Sequence, residues 1–447
     1  MGKDQSLGLI WELLTINMSA IQALRGTRDI LPQESLLWRQ VETTAQQILN
    51  RAAYREIRPP MFEQTNLFER GIGEATDVVG KEMYTFKDRG DRSITLRPEI
   101  TAGLVRAFIE HKLFAQGGVQ RLWHIGPAFR YERPQAGRQR QFHQLDVELI
   151  GSVDARADVE VIAIAADFLQ ALGLKSLRLD LNSVGNGEDR QRYRAALVDY
   201  LTPYQADLDV DSQDRLSRNP LRILDSKAKR TQEIVQAAPS ILDHLSPDSQ
   251  RHFDRVQQYL TDLGIEYQIN ARLVRGLDYY THTAFEIQSD DLGAQATVCG
   301  GGRYDGLAAQ LGGPETPAIG WAIGLERLTL LLQQLQNLPS PEVDFYLVSR
   351  GEGAEAQALK LAQTLRRQNF SVEMDLSRAA FGKQFKRADR SGAVACLILG
   401  DAEADNQTVQ LKWLQTGEQF EMPQATVGEK VDTLRQKIAA IRQEKAE

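Results

Sequence analysis

GPAFRYERPQAGRQRQFHQLDVELIG, residues 126–151, decides how the rest of the chain is read. Gly126 to Phe129 is apolar, and Arg130, Glu132 and Arg133 follow. A Pro-Gln-Ala-Gly turn then leads to Arg138 and Arg140, after which QFHQLDVELIG alternates polar and apolar. Such a pattern around a turn bearing proline and glycine predicts two strands joined as a β-hairpin. Four arginines on one hairpin can be a solvated, salt-bridged surface. They can equally be a site, because guanidinium is a planar, always-charged fork of donors that grips phosphate or carboxylate at two points.

The surrounding chain narrows the choice. Its 447 residues leave room for two to four domains. Hydrophobic residues at 42% and charged residues at 25% describe an ordinary globular composition. No apolar run approaches the roughly 18 residues of a membrane span. LGLIWELLTI near the start lacks a basic leader and a small-residue cleavage site, so no signal peptide is expected. Cys299 and Cys396 are too few for a disulfide framework or a cysteine-rich zinc site, which fits a cytoplasmic protein. A net charge of −7 excludes a general polyanion binder but permits a local basic stripe.

Residues 1–20 read as an N-terminal extension, with Met18 an alternative start. A catalytic region is expected over 21–186 and 264–332, interrupted by a polar, helical insertion at 187–263. Within it, Pro32 opens a helix to about Ala53, with Leu36, Leu37, Val41, Ala45, Ile48 and Leu49 at helical spacing. Tyr54 to Ile57 is a strand, Gly71 to Gly80 a loop, and Met83 to Phe86 with Ser93 to Leu96 a hairpin. Pro98 starts a helix to about Leu113, and another runs from Asp154 to Leu172. Strands are expected at Leu177 to Leu181, Tyr267 to Leu273 and Ala284 to Gln288, with Gly300 to Gly313 glycine-rich. Ala318 to Leu332 is a strand turning at Gly324 into a helix. After a linker at 333–341, strands alternate with helices over 342–447, a small α/β domain.

Arg130, Arg138, Arg275 and Arg327 come from separate segments, each near a glycine or turn. A site gathering such cations suits a polyphosphate, whose transferring group is stabilised by positioned positive charge. There is no G-x-x-x-x-G-K-[ST], so no P-loop, and CGGGRYDG lacks the spacing of a dinucleotide fingerprint.

FRYERPQAGRQRQFHQLDVELIG resembles motif 2 of the class II aminoacyl-tRNA synthetases, YREIRPPMFEQTNLF their motif 1 and GWAIGLERL their motif 3. LVRGLDYYTHTAFE and GGGRYDGL are similar to the two motifs peculiar to the histidyl-tRNA synthetase family. The likeness runs in order over residues 21–430. It implies an α+β catalytic domain, an antiparallel sheet flanked by helices, with a helical insertion and a C-terminal α/β anticodon-binding domain. It also implies a homodimer through motif 1, using the long helix and the Tyr54 to Pro60 strand. The implied activity is ligation of L-histidine to tRNA(His) through an ATP-derived adenylate.

Carried over by position, the resemblance assigns Arg130 to the α-phosphate and Arg275 to the histidine carboxylate and α-phosphate, the two catalytic cations. Glu132 would accept from the adenine amino group, Phe142 stack on the ring, and Arg138 and Arg327 hold the outer phosphates. Glu99 and Tyr280 would serve the imidazole nitrogens, which need one donor and one acceptor when neutral. Thr101, Gln144 and Glu148 would take the α-ammonium, with Tyr279 walling the pocket. Mg²⁺ is expected with ATP, and Glu148 is its candidate protein ligand. Arg133 and Gln135 would meet the tRNA acceptor end; Lys383, Lys386, Arg387 and Arg390 would face the anticodon. No editing domain is expected, since a hydrogen-bonding pocket rejects analogues by roughly 10⁴ or more.

Read without the resemblance, several of these residues have other roles. Tyr279 and Tyr280 could be core aromatics, Glu99 a first-turn helix carboxylate, Arg327 a surface ion-pair partner, and Gly300 to Gly302 a close-packing stretch. Arg140, His143 and His282 receive no role. Two rival functions share the fold class: a catalytically silent paralogue serving as a regulatory subunit of histidine biosynthesis, and a synthetase for another amino acid. The intact arginines and LVRGLDYYTHTAFE argue against both.

Overall fold

The structure, a computed structural model, describes residues 21–73, 76–289, 297–335 and 342–446. The N-terminal extension lies outside these residues, as does most of the expected linker. The chain divides into two compact units, Met1–Asn337 and Leu338–Glu447.

The first unit contains, in chain order, strands β1 (Arg55–Glu56), β2 (Phe62–Gln64), β3 (Tyr84–Lys87), β4 (Ser93–Leu96), β5 (Gln120–Phe129), β6 (Gln141–Ile150), β7 (Leu177–Ser183), β8 (Gln268–Ile269), β9 (Thr281–Ser289), β10 (Thr297–Arg303) and β11 (Ala318–Gly324). Eight form one sheet in the order β1-β5-β6-β11-β10-β9-β7-β8. It is antiparallel from β5 to β7, with two-residue parallel edges at β1 and β8. β2, β4 and β3 make a separate antiparallel sheet.

Alternation gives the large sheet one apolar and one polar face. Leu145, Val147 and Leu149 of β6, with Ile319, Trp321 and Ile323 of β11, join the main core. Helices Pro32–Arg51, Ala155–Ala171, Pro247–Asp262 and Leu325–Leu335 supply its other wall. Gln144, Asp146 and Glu148 of β6 and Gly320 of β11 face a cavity instead. Each buried Leu or Val contributes about 1.5–3 kcal/mol. A slip of one residue would exchange them for three polar side chains, so the register is fixed.

Several boundaries differ from the expected ones. The first hairpin strand begins at Gln120, six residues before the apolar stretch that announced it. The helix expected from Pro98 begins at Thr101: the Pro98 carbonyl accepts from Arg130 Nε (2.8 Å), and Glu99 accepts from the Ala102 N–H (2.8 Å). The Gly71 to Gly80 segment is partly helical, with Thr65–Ile72 ahead of a π turn at Val78–Glu82. The strands expected at Tyr54 and Tyr267 shrink to two residues each. Gly300 to Gly302, of the glycine-rich stretch, lie inside strand β10. Within the expected insertion, residues from Tyr193 to Ile241 form their own core. The Pro247–Asp262 helix instead sends Phe253, Val256 and Leu260 into the main core.

The second unit has a five-stranded sheet of β12 (Phe345–Ser349), β13 (Val372–Met374), β14 (Ala395–Leu399), β15 (Thr408–Trp413) and β16 (Gln419–Pro423), in the order β13-β12-β14-β15-β16. β12, β13 and β14 are parallel, crossed over by helices Glu352–Arg367 and Phe381–Arg390; β15 and β16 add antiparallel.

One buried ion pair ties the first unit's sheet to its helices. Arg303 on β10 is 1% exposed and donates to Asp158, itself fully buried on the Ala155–Ala171 helix, and to the Ser152 carbonyl at 2.7 Å. Burial alone would raise the Asp158 pKa, but the Arg303 charge and the His252 ring overcome it and hold the group at about 2. Arg303→Ala would strand this carboxylate, with an expected loss of about 3–5 kcal/mol, read as a lower urea midpoint for the first unit at pH 7. Because the folded pKa lies below the ordinary 3.8, the wild-type advantage is present above about pH 4 and disappears as pH falls toward 2.

Candidate active site

A cavity of about 1400 Å³ opens on the polar face of the large sheet. Glu99, Thr101, Arg130, Glu132, Arg138, Phe142, Gln144, Glu148, Arg275, Tyr279, Tyr280 and Arg327 all line it. These are all the expected ATP- and histidine-contacting residues, brought together from segments more than two hundred residues apart.

At one end lie the cations. The Arg130 guanidinium stands 5.2 Å from the Phe142 ring centroid, with Nε held by the Pro98 carbonyl. Arg138 Nη1 lies 3.4 Å from Glu132. Arg327 Nη1 donates to the Thr297 carbonyl at 2.7 Å. Burial lowers the Arg327 pKa, and the nearby Arg138 charge lowers it further. Two mutually repelling guanidinium groups suit a multiply charged anion.

The hairpin loop is braced from outside the site. Arg140, left without a role by the sequence, donates its backbone N–H to the Gly26 carbonyl (2.6 Å) and its Nε to the Glu132 carbonyl (3.3 Å). Its guanidinium stacks 3.8 Å from the Tyr131 centroid. His143 also gains a part, since its backbone N–H (2.9 Å) and ring Nδ1 (2.9 Å) meet the Glu326 carboxylate at the start of the Leu325–Leu335 helix. Arg133 and Gln135 are exposed on the turn and do not line the cavity. Gln135 and Arg138 exchange backbone hydrogen bonds of 3.1 and 2.9 Å across it.

The other end is acidic and aromatic. Glu148, 1% exposed, accepts from Thr101 Oγ1 (2.7 Å) at one oxygen and from the Tyr304 hydroxyl at the other. Burial pushes its pKa up to about 8 against those two hydrogen bonds, with Glu99 adding to the rise. Burial also raises Glu99, opposed by the Ala102 N–H and the Arg130 charge. Tyr279 and Tyr280 pack with centroids 4.8 Å apart. A Cβ at Gly320 would collide with the Glu148 carboxylate, so only glycine admits it.

Arg275 pairs with Glu286 on β9, whose second oxygen accepts from Thr297 Oγ1 at 2.8 Å. Burial favours the neutral form of Arg275, yet the Glu286 charge more than compensates and raises its pKa. Its guanidinium lies against Gly300, where a Cβ would force it to shift. The backbone of this motif is gripped from the insertion: Arg190 donates to the Asp278 and Tyr280 carbonyls at 2.9 and 3.0 Å, and Asn219 to the Asp278 side chain at 2.8 Å.

Glu148 does not fit the role of metal ligand. Both oxygens already accept from hydroxyls, its burial favours the neutral acid, and no three ligating side chains converge among the described residues. In the second unit Lys383, Lys386, Arg387 and Arg390 are exposed on the Phe381–Arg390 helix, and Arg387 is bound to Asp375 at 2.9 Å. Asp146, Glu286 and Tyr304 are cavity residues that sequence reasoning missed. The alternation of QLDVE carried the signal for Asp146 and the polar position within AFEIQ that for Glu286; Tyr304 had none.

Residues 26–328 match the histidyl-tRNA synthetase family, and residues 344–434 an anticodon binding domain. The chain is 72% identical over 426 residues to the histidine–tRNA ligase of Gloeothece citriformis, covering 95% of this chain and 99% of that protein. Another 72% match, over 421 residues, is the histidine–tRNA ligase of Picosynechococcus sp., covering 94% and 99%. Among solved structures, apo histidyl-tRNA synthetase of S. aureus superposes with a TM-score of 0.77 at 40% identity, covering 92% of this chain and 99% of that one.

A buried acid with a raised pKa makes the folded chain bind a proton that the unfolded chain has lost. For Glu148 that window runs from its ordinary 4.5 up to about 8, so its contribution makes stability fall as pH rises. Glu148→Gln carries no titrating group. It is expected to flatten the loss of urea stability between pH 7 and 8, above the range of ordinary histidine titration; an unchanged slope would show that Glu148 is ionised throughout.

Proposed function

Because the chain belongs to the histidyl-tRNA synthetase family, we propose that this cavity carries both steps of a histidine–tRNA ligase. In the first, a carboxylate oxygen of L-histidine attacks the α-phosphorus of ATP. The bond to the bridging oxygen breaks, pyrophosphate leaves and histidyl-adenylate forms. In the second, the terminal ribose hydroxyl of tRNA(His) attacks the adenylate carbonyl, forming the ester and releasing AMP.

The observation that carries the reading is the meeting of the arginine cluster and the acidic, aromatic pocket in one cavity. Arg130 and Arg275 are the cations for charge growing on the α-phosphate. Arg138 and Arg327 hold the outer phosphates, Glu132 and Phe142 the adenine. Glu99 and Tyr280 receive the imidazole beside Tyr279, while Thr101, Gln144 and Glu148 receive the α-ammonium. Mg²⁺ would come with ATP, whose phosphate oxygens rather than a side chain of this cavity would hold it.

Arg133 and Gln135, exposed on the hairpin turn, meet the acceptor end of the tRNA. Lys383, Lys386 and Arg390 face the anticodon, with Arg387 the least available because of Asp375. A homodimer would form through the motif 1 edge, beside which Met61 and Phe62 are 50% and 59% exposed. A cytoplasmic location belongs to the same proposal; no helix among the described residues is long and apolar enough to cross a membrane. The silent regulatory paralogue is not favoured, given full-length likeness to ligases and the matched anticodon domain.

Histidine-dependent exchange of pyrophosphate into ATP tests the first step. Wild type is expected to exchange with histidine alone, and Arg275→Ala to lose roughly 10²–10³ in kcat. Absence of exchange with any amino acid would sink the ligase reading, and exchange with another amino acid would sink the specificity. Replacing Lys383, Lys386 and Arg390 together by alanine should raise the KM for tRNA about tenfold and leave exchange untouched, since phosphate contacts act on tRNA alone.

A further inference from the structure

Asp146 sits between Gln144 and Glu148 on the cavity face of β6, and it lines the cavity while only 1% exposed. Its Oδ2 is wholly buried and has no hydrogen-bond partner among the described residues. Its neighbours across the sheet cannot supply one. Ala322 on β11 is in register with it and offers no polar side chain, and His124 is its partner on β5. His124 is committed at both nitrogens, Nδ1 to the Ile57 carbonyl (2.7 Å) and Nε2 to Arg97 (3.0 Å). Arg97 spends its other two nitrogens on the carbonyls of Pro127 (2.7 Å) and Pro59 (3.0 Å).

A buried carboxylate without a donor costs several kcal/mol unless something with N–H or O–H groups meets it. A second bare acceptor lies on the same face: Gln144 Oε1 is also buried and unpartnered. Two acceptors two residues apart on one strand ask for a donor with more than one N–H. A metal ion is the poorer candidate, because no three ligating side chains converge among the described residues. A primary ammonium, with three N–H donors and one positive charge, answers both. Glu148, the carboxylate already assigned to that group, has both oxygens engaged by Thr101 and Tyr304.

We propose that Asp146 is a further histidine-binding residue, whose carboxylate accepts a hydrogen bond from the α-ammonium of the substrate alongside Gln144. The proposal rests on the reading of this cavity as a histidine site. Burial, together with Glu148 and Glu99, raises the Asp146 pKa well above its ordinary range, against the opposing charges of Arg97 and Arg130. An arriving cation would offset that unfavourable balance. Asp146 thereby becomes a further charged member of the ammonium site, beside Glu148, which also orders Thr101 and Tyr304 around it.

Asp146→Asn keeps size and shape, and Asp146→Ser serves as a second variant should the first fail to fold. In histidine-dependent exchange, the variant is expected to raise the KM for histidine roughly 10- to 100-fold, the loss of one charge-assisted hydrogen bond. The KM for ATP should stay within about twofold of wild type. The discriminating ligand is 3-(imidazol-4-yl)propionate, histidine without its amine, used as a competitive inhibitor. Its inhibition constant should be the same for wild type and variant. An unchanged KM for histidine overturns the assignment, as does an inhibition constant that worsens as much as that KM. Failure of the premise looks different: wild type itself would show no histidine-dependent exchange.

Discussion

The two-residue period of β6 is the constraint on which the rest of the molecule depends. Leu145, Val147 and Leu149 are held under the helices, and that forces Gln144, Asp146 and Glu148 into the cavity. The strands alongside repeat the division: Ile319, Trp321 and Ile323 lie in the core, while Gly320 leaves room for a carboxylate. Site geometry and hydrophobic burial are thus two faces of one register. A substitution that loosens the core side would be felt on the other face without touching a site residue.

Charge is handled differently at the two ends of the cavity. At the histidine end, acids are buried beyond what their hydrogen bonds offset, so Glu99, Asp146 and Glu148 all favour the neutral form. At the phosphate end, arginines are held by backbone carbonyls, as Arg130 is by Pro98 and Arg327 by Thr297. Arg275 lies between the regimes, charged through Glu286 and aimed by the absence of a side chain at Gly300. The arrangement gathers guanidinium groups where phosphate is expected and places suppressed negative charge where a cation is expected.

Much of this was legible in the sequence, and for physical reasons. β6 could be read because its alternation is strict, and the Leu325–Leu335 helix because a strand of small and apolar residues ends at Gly324. β16 could not, since four of its five residues are exposed and only Met422 is buried. The π turn at Val78–Glu82 carries no clear period, and the Thr65–Ile72 helix shows its apolar face, Leu67, Phe68 and Ile72, over only two turns. The site arginines were visible as chemistry out of place on a hairpin. Arg140 and His143 were not placed, because their partners, Gly26 and Glu326, are more than a hundred residues away in sequence. Tyr304 was in a quoted motif, yet nothing local marks a tyrosine as the donor to Glu148.

The place of β11 in the sheet bears on the order in which the molecule can be made. β11 lies between β6 and β10, so β6 ends at residue 150 and waits for a neighbour that starts at residue 318. Everything between, the whole insertion included, leaves the ribosome first. During that interval one side of β6 is an open edge, and the glycine that accommodates Glu148 has not been synthesised. Sheets closed by such distant pairings form late and slowly. The cavity is therefore among the last features of its unit to come into existence, and a chain halted before residue 318 has no catalytic floor to expose.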